Sequence, residues 1–123
     1  MGKRGRAKAS IAAGGLGATG LPNELYDDLE AGTLELRAVL TLKARAEYAR
    51  TLGGGLHQED AWQRAVELLF ERLVVAWTIQ GLRIDKQREL LGRYRMATPA
   101  ERRFVRESLR AHLAEHFPEL DAP

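Results

Sequence analysis

The chain contains no cysteine, which excludes a disulfide framework, a thiolate metal site and a cysteine nucleophile. It has no apolar run near the 18 or so residues that a membrane span needs, so membrane residence is not expected. Histidine is scarce, with three residues in the 123, and this limits both metal binding and general-base chemistry. Net charge is also small at +2. Fifteen of the 19 cations are arginine, which does not titrate below about pH 12, and this lifts the pI to about 9.2. Hydrophobic residues at 45% and charged residues at 29% are ordinary for one globular domain.

The charge is unevenly placed. Residues 1–20 hold Lys3, Arg4, Arg6 and Lys8 and no acid. Acids outnumber bases over 21–80, bases outnumber acids over 81–110, and 111–123 are acidic again. The division expected is a flexible basic, Gly/Ala-rich tail at 1–20, a helical domain at 21–117 and a C-terminal tail at 118–123. Glycine loses the most entropy on ordering, and its spread through the tail also breaks up any secretory apolar stretch.

Within the domain, Pro22 and the spacing of Leu21, Leu25 and Leu29 predict a short acidic helix ending before Gly32. Thr33–Arg37 alternates polar and apolar residues, as a short half-buried strand does. Thr41 suits an N-cap, and Leu42, Ala46, Ala49 and Leu52 share a helical face that stops at Gly53-Gly54-Gly55. From Gln58 to Gln80, Trp62, Val66, Leu69, Leu73 and Trp77 follow one helical face, and Leu68, Val75 and Ile79 form a second strip. That apolar arc is wider than one neighbouring helix covers. Asp85 is placed to cap a basic helix from Lys86 to Arg95, and Thr98-Pro99-Ala100-Glu101 is a capping box opening a helix to His116. The fold class expected is mainly α, a compact bundle of about five helices with at most one short N-terminal strand.

Two motifs imitate chemistry. Gly15-Leu16-Gly17-Ala18-Thr19-Gly20 matches the dinucleotide fingerprint by letter, but no strand precedes it and no βαβ unit surrounds it. His112-Leu113-Ala114-Glu115-His116 has the spacing of an inverted zinc-protease motif. A third ligand is not identifiable in the sequence beyond His57 or a distant acid, and the plain reading is two half-buried histidines at a helix end. Ser10 and Ser108 lie in no nucleophile elbow. No enzyme, cofactor or metal is therefore expected.

On the last helix Arg102, Arg103, Arg106 and Arg110 fall on one arc beside the apolar face. With Tyr94 and the basic tail they could neutralise phosphates of a nucleic acid. The alternative is that they lay their stems over the core and pair with acids of 21–80 or of another copy in a homo-oligomer.

The run Leu34-Glu35-Leu36-Arg37-Ala38-Val39-Leu40-Thr41-Leu42-Lys43, a strand entering a capped helix, resembles the opening of tailed-phage tail assembly chaperones. Leu73-Val74-Val75-Ala76-Trp77-Thr78 is similar to the Trp-bearing end of a central helix in such proteins. The resemblance spans about residues 34–113. It implies a non-enzymatic protein of the host cytoplasm that keeps a tape-measure-like helical partner soluble during tail building. Trp62, Leu69, Leu73 and Trp77 would then be the binding surface, with both Trp as anchors. Arg102, Arg106 and Arg110 would set partner choice. The competing reading of both Trp is plain core. A minor virion component at the head–tail joint and a basic helical nucleic-acid-binding protein are the alternatives.

Overall fold

The computed structural model describes residues 22–53 and 58–123. The basic tail at 1–20, the glycine motif within it, Gly54, Gly55 and His57 lie outside the described residues. The elements run β1 (Glu24–Asp28), β2 (Gly32–Leu36), α1 (Leu42–Leu52), α2 (Gln58–Leu73), β3 (Val74–Ile79), β4 (Leu82–Ile84), α3 (Gln87–Arg95) and α4 (Pro99–His116). The strands form one antiparallel sheet in the order β1-β2-β3-β4. This is a mixed α/β fold, and it overturns the expected bundle of about five helices with one strand.

Two segments account for the difference. The helix expected from Pro22 to Ala31 is instead a strand and a hairpin loop. Asp28 Oδ2 accepts from the backbone N–H groups of Glu30 at 3.1 Å and Ala31 at 2.9 Å, a local turn that competes with helix. Gly32 closes the loop at φ +95°, and Leu29, one member of the apparent helical spacing, is fully exposed at the tip. The long helix expected to reach Gln80 ends at Leu73, and the chain passes directly into β3. Val74, Val75, Trp77, Thr78 and Ile79 are β-branched or aromatic, the side chains that fit a pleated surface best. Gln80 and Gly81, with φ of 52° and 81°, then make a two-residue hairpin turn in which both central residues are left-handed.

A helix that stops without a loop must still satisfy its last carbonyls, and here other elements do so. The Arg37 backbone N–H donates to Leu73 O at 2.8 Å. Arg37 Nη1 donates to Arg72 O at 3.3 Å and Gln87 Nε2 to Glu71 O at 2.9 Å. The β2–β3 register shifts between Glu35 and Leu36, which accommodates the extra residue where the helix unwinds.

By register, Tyr26, Leu34, Trp77 and Ile84 share one sheet face. Tyr26, Leu34 and Trp77 join Leu69, Phe70 and Leu73 of α2, Leu90 and Tyr94 of α3, and Phe104, Val105, Leu109 and Leu113 of α4 in a single core. On the other face Asn23 Nδ2 donates to Glu35 Oε2 at 3.0 Å, and Thr33 Oγ1 to Asp27 Oδ1 at 2.7 Å. Thr41 caps α1 by accepting from Ala44 N, and the Thr98–Glu101 capping box is complete. Lys86 stands at the N-cap of α3 with no side-chain hydrogen bond, in the place expected of Asp85. Residues 118–123 return to α1, where Arg45 Nη1 pairs with Glu119 Oε2 at 2.7 Å and the Tyr48 hydroxyl donates to Asp121 O.

Candidate functional site

The α2–β3 junction leaves a cleft of about 720 Å³. Its floor and walls are Ala38, Val39, Leu40 and Thr41 of the irregular β2–α1 connection, Ala44 and Glu47 of α1, the helix end at Glu71 and Arg72, and Gln87 of α3; Arg37 and Lys43 complete the lining. The groups that terminate α2 therefore also build the cleft. Leu42, between two lining residues, is 81% exposed. The lining holds no His, Ser or Cys, and its one hydroxyl, on Thr41, is engaged as the α1 cap. Arg72 Nη2 pairs with Glu47 Oε1 at 2.9 Å across the edge. The result is a small apolar strip inside a rim of mixed charge.

The residues expected to bind a partner fall elsewhere. Leu69, Leu73 and Trp77 are buried in the core, and Trp77 lies on β3, where its indole Nε1–H donates to Ala31 O at 2.8 Å. Phe70 meets it edge-on at 6.2 Å and stacks with Tyr94 at 5.0 Å between ring centres. The wide apolar arc is thus covered by the chain's own sheet and helices. Trp62 is half-buried against the core.

The arginine stripe divides into two parts. Arg106 sits over the Trp62 ring at 5.1 Å and Arg102 over the Tyr94 ring at 5.8 Å, and Arg102 Nη2 also donates to Arg95 O at 2.5 Å. Arg93, 5.4 Å from the Trp77 ring centre, donates to Glu101 Oε2 at 2.9 Å. That hydrogen bond holds the Glu101 carboxyl below its usual range. Arg95 pairs with Glu67. Arg103 and Arg110 are exposed. Half of the stripe therefore lies over aromatic rings, and the other half, Arg103 and Arg110, stays exposed.

A third place gathers groups that sequence spacing could not connect. His112 and His116, one turn apart on α4, meet Glu24 of β1, and the three ligand-type atoms lie within 4.8 Å of one another. His116 Nε2 is 3.2 Å from Glu24 Oε2, although the pair lacks hydrogen-bond geometry and that buried nitrogen has no hydrogen-bond partner. His112 Nε2 is 2.6 Å from Arg37 O, and Nδ1 is 2.9 Å from the Tyr26 hydroxyl. Because a carbonyl only accepts, Nε2 carries the proton and Nδ1 presents its lone pair. Burial, helped by the nearby charge of His116, pushes the His112 imidazole down to about 4. Ser108, the one hydroxyl of α4, is fully buried.

No helix of the described residues is long and apolar enough to cross a membrane. No family model matches this sequence, and neither a curated protein nor a solved structure matches it.

Proposed function

We propose that this protein is a non-enzymatic interaction protein of the tail assembly chaperone kind. It would act in the host cytoplasm by holding an amphipathic helix of a long, tape-measure-like partner in the cleft at the α2–β3 junction. The observation that carries this reading is the make-up of that cleft: half-buried Ala38 and Val39 over buried Leu40 and Ala44, inside a charged rim, with exposed Leu42 beside it. A helix laid in a groove needs an apolar floor for anchors at three- and four-residue spacing, and rim charges that fix its direction. The lining offers no nucleophile paired with a base, which favours binding over catalysis. The passage from a strand into a Thr41-capped helix, on which the resemblance to these chaperones rests, is present as β2 and α1. Its second part is not, since Leu73–Thr78 leaves the helix for β3.

The test is co-expression with a long helical tape-measure-type protein. The wild-type chain raises the soluble fraction of that partner. Ala38→Arg, which fills the cleft, and Leu42→Glu, which charges its edge, abolish the effect while thermal unfolding stays unchanged. Solubilisation equal to wild type by both variants refutes the proposed site.

A further inference from the structure

The histidine pair of α4 and the carboxylate of β1 are not needed for partner binding at the cleft, and their arrangement has a chemistry of its own. A four-coordinate zinc ion bound at about 2.0–2.1 Å keeps neighbouring ligand atoms roughly 3.4 Å apart. Glu24 Oε2 and His116 Nε2 already stand at 3.2 Å, and all three ligand-type atoms lie within 4.8 Å, so side-chain rotations of about 1 Å suffice to close on an ion.

The surroundings match what a ligating imidazole requires. Such a histidine donates its other ring N–H to a carbonyl or carboxylate, which fixes its tautomer and plane. His112 does this through Nε2 to Arg37 O at 2.6 Å, which leaves Nδ1 as the nitrogen able to ligate. The Tyr26 hydroxyl, 2.9 Å from Nδ1, also lies 3.2 Å from Glu24 Oε1. Tyr26 can therefore turn its proton to the carboxylate when Nδ1 takes up an ion, or offer its oxygen as a fourth ligand. His116 Nε2 is a buried nitrogen without a hydrogen-bond partner, and an ion would satisfy it.

We infer that Glu24, His112 and His116 form a binding site for a divalent first-row transition ion, zinc fitting best, which fastens strand β1 to the C-terminal turn of α4. Two imidazoles and one carboxylate suit zinc better than calcium or magnesium, which take oxygen ligands. With one carboxylate and two neutral rings, the loaded site carries a single net positive charge.

The experiment uses the full chain, stripped with a chelator and titrated with zinc and with cobalt. One equivalent of zinc binds per chain, the thermal midpoint rises with zinc concentration, and cobalt gives visible ligand-field absorption of a low-coordinate nitrogen and oxygen site. Magnesium produces neither effect. His116→Ala and Glu24→Gln, both at partly exposed positions, keep the metal-free fold and each lower zinc affinity at least tenfold. His112→Ala is avoided because that ring is fully buried and the variant would lose packing as well as a ligand. Absence of stoichiometric zinc binding overturns the inference, and so does wild-type affinity in both His116→Ala and Glu24→Gln.

Discussion

Gly32 and Gly81 are a matched pair on which the sheet assignment can be tested. Both have positive φ, at +95° and +81°, a region that costs an L-residue about 1–2 kcal/mol. Replacing either with alanine also restricts the unfolded chain and returns about 0.4–1 kcal/mol. Gly81→Ala therefore loses about 1 kcal/mol, because its new Cβ meets nothing within 4 Å. Gly32→Ala carries the same conformational cost and a steric one. Its Cβ would lie 2.0 Å from the carbonyl oxygen of Thr78, 3.0 Å from Thr78 C and 3.1 Å from Ile79 Cα. Those are backbone atoms of β3, so no side chain can swing aside. The β2 start must move away from β3 by about 1 Å or more, straining the Thr33–Thr78 pairing. Overpacking of this sort costs about 1–3 kcal/mol, bringing the Gly32→Ala loss to about 2–4 kcal/mol, a large part of the 5–15 kcal/mol expected of a domain. Urea unfolding of the two variants measures the difference directly. Equal losses, within about 0.5 kcal/mol, would mean that β2 does not lie against β3 at Thr78, and the hairpin replacing the expected helix would be wrong.

Other outcomes follow from single contacts. Burial of the Tyr48 phenol, helped by Asp121, raises it to about 12. Its contribution is thus fully present below pH 10 and lost as pH rises from 10 toward 12; ultraviolet titration together with unfolding at alkaline pH checks both parts. Tyr48→Phe removes the bond to Asp121 O and flattens that alkaline decline. Trp77→Ala, at a side chain with 0% exposure, costs about 3–5 kcal/mol, whereas half-buried Trp62→Ala costs less than half as much in the same denaturation assay. Thr98→Ala removes one half of the capping box and lowers stability by about 1 kcal/mol.

Legibility in the sequence followed the range of the interactions. Thr41, Thr98 and Glu101 act within three residues of themselves, so the starts of α1 and α4 could be read directly. Strand β2 was visible in the alternation of Thr33–Arg37. Strand β3 was hidden because Trp77 continues the spacing of Leu69 and Leu73: four-residue steps on a helix and two-residue steps on a strand both place it inward. The β-branched content of Val74–Ile79 and the Gln80-Gly81 turn were the signals that could have separated these possibilities. For β1, Leu25 and Leu29 suggested a helical repeat, while the turn-forming Asp28 and the left-handed Gly32 fixed a hairpin. The histidine cluster was half legible, since the spacing of His112 and His116 is local. Its other half arrives through sheet pairing, with Tyr26 standing 86 positions from His112, and no local pattern marks such a partner. The cleft was illegible altogether, because it arises where α2 ends against Arg37 and Gln87.

The proposed docking of a helical partner at the α2–β3 junction is tested most directly by amide chemical-shift mapping of the labelled protein, titrated with an amphipathic helical segment of a tape-measure-type protein. The largest perturbations should fall on Arg37–Ala44, Glu71, Arg72 and Gln87, and Ala38→Arg should erase them. Perturbations confined instead to Arg103, Arg110 and the exposed side of α4 would contradict docking at the junction.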